Sequence, residues 1–434
     1  MIGMSLKHNF FWLIISKSIL MIAGFFTASL INRALGPFGR GIYAEMVTWI
    51  GLFSVIFGLS MDSAIYHFAN RVLYPVDDKI KFMTTFFLLF IYAFLATIFL
   101  NLFIFFFPKQ VSIETFKYVW LLDILLIVTM FSTNFNIFFQ ALGKIKFSAL
   151  VGIIQAFVGI IILSLSYLKG LINLKYVIIY LTIFQLVALF MFLSAFMKLN
   201  FFSGKFSKNI AKGIINAGLK QHPATISTFI YTKINQLILF KYCGEFDTGI
   251  FSVSLNLIFS LMTIPMTFQT VLYPRVIHSN DDYEITVKAI RVTFYWWGMF
   301  IIFSMIFAKP IILLYAGKNF LPSVNILRIL LASAWFLPLS SLLAPYYVKS
   351  GAFIIASFSA IILGIISIGL NLFLIPIYKT IGAALATSIT TLIGFIMTLL
   401  FLWYLSKRNP LVVFRPEFKK DFNEIFFIWR KIIR

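Results

Sequence analysis

The sequence predicts an all-α polytopic membrane protein, on three observations. Apolar stretches of roughly 20 to 28 residues recur along nearly the whole of the 434-residue chain, about twelve in all, and each is long enough for a helix to cross a bilayer at 1.5 Å per residue. Mean hydropathy is +0.98, with 61% hydrophobic and only 12% charged residues, which no soluble core of this size could hide. The 36 Lys and Arg residues sit mostly one at a time in short connections between the apolar runs, as topology determinants do.

The runs lie at about 10–35, 42–70, 83–107, 116–142, 147–168 and 175–197, and then at about 212–241, 247–276, 287–309, 322–348, 351–376 and 381–406. The first follows Lys7 and has no small-residue cleavage site, so it reads as a retained helix and not a signal peptide. With both termini cytoplasmic, 22 basic residues fall inside, ten outside and four within the runs. That orientation rests mainly on Lys198, Lys205, Lys208 and Lys212 between runs six and seven, and on the tail. The tail places Phe414, Phe418, Phe422, Ile425, Trp429 and Ile432 on one helical face among basic residues, a pattern suited to lying on anionic headgroups; the plainer alternative is a solvated basic tail.

The two halves echo one another. Gly41-Ile42-Tyr43 and Gly249-Ile250-Phe251 begin runs two and eight, 208 residues apart; Gly143 and Gly351 differ by the same 208, and Arg71-Val72 and Arg275-Val276 by 204. The spacing predicts an N-terminal lobe at 1–200, a C-terminal lobe at 201–408 and a cytoplasmic tail at 409–434. Six spans per lobe make the repeat parallel, with a central cavity between the lobes.

Composition excludes several classes. Cys243 is the lone cysteine, so no intramolecular disulfide can form, and no His/Cys cluster has metal-ligand spacing. The net charge of +22 would suggest nucleic acid in a soluble chain, but the topology signal accounts for it and no nucleic acid partner is expected. The extramembrane segments are too short for the catalytic loop of a membrane polymerase or glycosyltransferase, so no enzyme activity and no cofactor are expected.

Three segments carry a family resemblance: LGPFGRGIYA at Leu35 to Ala44, LYAGKNFLPS at Leu314 to Ser323, and NLFLIPIYKTIGAALATS at Asn371 to Ser388. The chain resembles the Wzx-type polysaccharide flippases of the multidrug/oligosaccharidyl-lipid/polysaccharide exporter superfamily. The resemblance implies a twelve-helix V-shaped bundle that opens alternately to either side. It also implies a glycan on an undecaprenyl pyrophosphate carrier as cargo, as in O-antigen or capsule assembly, in a bacterial cytoplasmic membrane. A polysaccharide polymerase and a chain-length regulator would be working partners, beside the bilayer and the lipid-linked oligosaccharide. Members often carry an acid where run seven reads Ile234-Asn235-Gln236, so a coupling role at that position is not expected here.

Charges within the runs point to the cavity, because an ionisable side chain at mid-bilayer costs about 2.5 to 3.5 kcal/mol unless it finds water or a partner. The cations are Lys17 in run one, Lys220 and Lys233 in run seven and Arg328 in run ten; the acids are Asp62 in run two and Asp123 in run four. In run seven, Asn216, Lys220, Ser227, Tyr231 and Asn235 share a face about 100° wide, while Lys233 falls about 140° away on an ideal helix that Pro223 is expected to kink. In run eight, Asn256, Ser260, Thr263, Thr267 and Thr270 form a stripe, as do Ser148, Gly152, Gln155, Gly159 and Ser166 in run five. Such stripes also serve as glue between helices, and Lys17, Lys220 and Arg328 could snorkel to an interface.

Lysines, with Ser, Thr, Asn and Tyr beside them, suit an anionic, hydroxyl-rich cargo. A multidrug antiporter on the same fold would call for an acidic cavity, whereas a lipid II flippase carries a similar pyrophosphate and charge does not separate it. Asp62 and Asp123 are the candidates for coupling to protons or sodium.

Overall fold

The computed structural model describes residues 2–68, 76–278, 281–350, 353–415 and 417. Its α-helices are α1 (Ile2–Gly58), α2 (Met61–Phe68), α3 (Asp78–Phe106), α4 (Ile113–Lys117), α5 (Val119–Ala141), α6 (Ile145–Leu168), α7 (Leu174–Lys198), α8 (Lys208–His278), α9 (Asp282–Ile306), α10 (Ala308–Tyr315), α11 (Ser323–Ser341), α12 (Ala344–Lys349) and α13 (Phe353–Ser406). Among the described residues, nine helical stretches are long and apolar enough to cross a bilayer. Three of them, in α1, α8 and α13, break internally at Gly36, Gly244 and Lys379, so the nine provide twelve arms. The fold is therefore all-helical and polytopic.

The breaks replace loops that the run boundaries suggest. Gly36 (φ 63°, ψ −178°) and Gly244 (φ 81°, ψ −169°) occupy backbone conformations that a Cβ disfavours, and each turns the chain in a single residue. Pro37 then starts the second arm of α1 where its missing N–H costs nothing. At the far end of that arm, Leu59 and Ser60 both have positive φ, so run two ends at Gly58 and restarts as α2. Run ten is likewise divided, into α11 and α12.

Buried apolar side chains gather in separate clusters. One is built from residues between Met46 and Ile214, another between Leu239 and Ala384, and a third between Leu272 and Val413. Phenylalanine dominates the first: the Phe196 ring centroid lies 4.0 Å from Phe82, 4.4 Å from Phe139 and 5.2 Å from Phe135. The outward faces remain apolar, with Phe94, Phe105, Phe190 and Met299 all well exposed, a surface that only lipid suits.

The first and second halves of the chain touch most closely where the second arms of α1 and α8 begin. A methyl group at Gly41 would collide with the carbonyl of Glu245, and one at Gly249 with the carbonyl of Pro37. Phe38 and Phe246 meet at the same place, ring centroids 5.2 Å apart. Arg33 extends the contact by donating from Nη2 to the carbonyls of Leu313 (3.0 Å) and Leu314 (2.9 Å). Just past the far end of the second arm of α1, Gly218 in the first arm of α8 packs on the Leu59 carbonyl, and the Ser60 hydroxyl bonds that of Thr225 at 2.8 Å. Gly351, Arg71-Val72, the side chain of Arg275 and tail positions 418–434 lie outside the described residues.

Candidate functional site

A cavity of about 780 Å³ opens between the first and second halves of the chain. Its walls come from both arms of α1, from α6 and α7, from both arms of α8 and from the end of α10. Three cations line it, Lys17, Arg40 and Lys233, and among the described residues no carboxylate does. Asn256, Ser260 and Thr263 face them from the second arm of α8, with Gln236, Tyr43, Tyr180 and Tyr315 completing the polar lining.

Arg40 and Lys233 rest on aromatic faces, and among the described residues no carboxylate pairs with either. Arg40 is only 3% exposed, its guanidinium sits 4.6 Å above the Tyr43 ring, and its Nε has no hydrogen-bond partner. The Lys233 ammonium lies 4.4 Å from the centre of the Phe259 ring. An aromatic face steadies a cation by about 0.5 to 2 kcal/mol while leaving its charge unneutralised. Arg40 and Lys233 are close enough to repel one another. A site of this kind draws anions: guanidinium forks onto phosphate oxygens, ammonium supplies a compact charge, and hydroxyls trade hydrogen bonds with sugar.

The structure brings together Lys17, Lys233, Asn256, Ser260 and Thr263 from the residues expected in the cavity, whereas the side chain of Thr267, like that of Thr270, lies outside the described residues. The expected face of run seven is corrected. Asn216 and Lys220 are exposed and away from the cavity, and Tyr231 is not in its lining. Asn235 is 1% exposed and donates from Nδ2 to Thr387 Oγ1 at 2.9 Å, while Ser227 packs on Gly364, so that face is turned to α13. The single break in α8 is at Gly244 and not at Pro223. Run seven keeps helical backbone angles through Pro223, and the side chains it presents to the cavity are Phe229, Lys233 and Gln236.

The run-five stripe also proves to be interhelical contact. Ser148 bonds Asn136, Gln155 donates to the Phe184 carbonyl at 2.9 Å, and Gly159 lets Tyr180 and Phe184 approach. Asp62 is exposed on α2, and Asp123 accepts from Asn101 at 3.0 Å on both oxygens; neither reaches the cavity. Arg328 donates to the Met305 carbonyl at 3.3 Å and is exposed. Arg40 lies between runs one and two, where run boundaries alone place it among the loop cations. The signal that could have found it is its place in GPFGRG, where a one-residue break leaves no loop to hold it.

The sequence matches the polysaccharide biosynthesis protein family over residues 6–279. No curated protein sequence matches it significantly. In fold it is similar to an inward-facing multidrug resistance MATE family transporter of the MOP superfamily, at 14% identity and TM-score 0.68, covering 91% of this chain and 99% of that one. It is similar to the lipid II flippase MurJ in an inward closed conformation, at 21% identity and TM-score 0.66, covering 96% and 92%. It is also similar to a MOP superfamily transporter from Pyrococcus furiosus described by the reverse polarity of its binding pocket, at 15% identity and TM-score 0.65, covering 93% and 97%. With well over half its length inside the family match, this chain belongs to the polysaccharide biosynthesis protein family, and it shares its fold with these MOP superfamily structures.

Proposed function

We propose that the protein flips undecaprenyl-pyrophosphate-linked oligosaccharide units across the bacterial cytoplasmic membrane for surface polysaccharide assembly. The cavity carries this reading: Lys17, Arg40 and Lys233 face it without a carboxylate, beside Asn256, Ser260 and Thr263. The pyrophosphate sits among the cations and the sugars among the hydroxyls, while the polyprenyl chain stays in lipid. The lobes, 1–200 and 201–408, alternate about the cavity, with both termini in the cytoplasm and a polymerase and chain-length regulator acting on the delivered units. A cell interior that is negative favours outward movement of the anion by about 2.3 kcal/mol per charge per 100 mV.

An acid-free cationic cavity speaks against a multidrug antiporter, whose usual cargo is cationic. The MurJ likeness keeps lipid II as the second reading, since both cargoes are pyrophosphate lipids. Complementation separates them. Expression in cells lacking their polysaccharide flippase restores surface glycan, and expression in cells depleted of lipid II flippase does not restore growth. Rescue of the second strain alone overturns the proposal.

A further inference from the structure

The first α1–α8 contact region holds a buried acid that the cavity does not use. Glu45 lies one helical turn after Gly41, is fully buried, and is absent from the cavity wall. Its Oε2 accepts from Ser112 Oγ at 3.0 Å and from Thr115 Oγ1 at 2.5 Å, both in the short segment between α3 and α5. Its Oε1 is buried and has no hydrogen-bond partner, and the indole N–H of Trp49, one turn further on, has none either.

No cation compensates it among the described residues; Ser112 and Thr115 are the groups that donate to it. On its own helix, Arg40 is stacked on Tyr43 at the cavity wall. On the covering segment, Lys109 and Lys117 are exposed and Glu114 is half-exposed. The charges of α3 are Asp78, Lys79 and Lys81, all in its first turn at the other end, and its buried Tyr92 hydroxyl is unbonded. α5 offers only Asp123, which Asn101 holds.

The internal echo argues that packing does not require this acid. The position 208 residues on is Val253, also fully buried. A carboxylate without water or a cation is poorly tolerated, and a neutral acid fits the same space. We propose that Glu45 is a proton site linked to the Gly41/Gly249 crossing: it holds one proton while the crossing is closed, and gives that proton to entering water when the crossing parts and the Ser112–Thr115 cover lifts. Closing reverses the transfer. This assignment replaces Asp62 and Asp123 as the coupling candidates. It rests on the alternating-access reading but not on the cargo.

Nitroxide labels at Ala34→Cys and Tyr242→Cys, both exposed and one turn before the Phe38/Phe246 contact, report the crossing in a Cys243→Ser background that has no other cysteine. Distances are read in cargo-free nanodiscs from about pH 5 to about pH 9. Low pH favours the short distance, and the short-to-long ratio falls by at most about tenfold per pH unit, the limit for one proton. Glu45→Gln holds the short distance throughout. Glu45→Asp keeps the response, and Ser112→Ala with Thr115→Val moves its midpoint to lower pH, because the closed, protonated state loses the two hydrogen bonds that the open state does not make. An unchanged pH response in Glu45→Gln, or none in the labelled parent, overturns the assignment. Loss of glycan transport with the response intact would sink the cargo reading alone.

Discussion

Asn235 and Thr387 are joined by a 2.9 Å hydrogen bond between two arms, 152 residues apart, in the buried second half of the protein. The bond turns the most polar face of run seven away from the cavity. Asn235→Leu and Thr387→Val should each lower the melting temperature in detergent, and the double variant should lose less than the sum, with a coupling of about 0.6 to 1.7 kcal/mol. Simple additivity in a thermal-shift series would show that the bond contributes nothing.

The cavity cations should matter unequally from Lys220. Lys17→Ala, Arg40→Ala and Lys233→Ala should each cut surface glycan export at unchanged membrane abundance, since a hydrogen bond to a charged group contributes about 1.5 to 3 kcal/mol, roughly ten- to 150-fold. Lys233→Glu should be worse than Lys233→Ala, as a carboxylate repels the cargo. Lys220→Ala should export at near the parent level, and immunoblots of surface glycan against total protein decide the order.

Gly41→Ala or Gly249→Ala places a methyl against a carbonyl that has nowhere to go. Overpacking of this sort costs about 1 to 3 kcal/mol, here charged to the closed crossing, so export should fall while insertion persists. Gly369→Ala is the control. Nothing lies within 4 Å of its added methyl, and a helical alanine gains up to about 1 kcal/mol, so it should be neutral or stabilising.

Phe196→Ala removes a ring that Phe82, Phe135 and Phe139 surround. The expected loss is about 3 to 5 kcal/mol, seen as reduced membrane abundance and earlier heat aggregation. Restoration by Phe196→Leu in part, but not by Phe196→Ser, would tie the effect to packing.

Much of the fold was legible because a bilayer demands uninterrupted apolar length, and a hydropathy count reads length directly. The breaks at Gly36 and Gly244 were not, since a one-residue corner and a short loop leave the same trace in composition. The site was half legible. Asn256, Ser260 and Thr263 formed a stripe that does line the cavity, whereas Asn235 and Ser227 formed an equally regular one that faces α13. Periodicity groups residues on a face without naming what that face meets. Lys233 falls about 140° from the polar face of run seven, and because that polar face packs on α13, the cavity takes the side on which Lys233 stands. Glu45 and Arg40 sat too near a span's start to be told from surface charges.

The Gly41 and Gly249 contacts also carry a mechanical meaning. Each glycine leans on the carbonyl four residues before the other, and 208 residues separate both glycines and both carbonyls, so the joint is its own mirror under a half-turn. A bulkier residue on either side therefore loads the same joint, whichever half of the chain carries it.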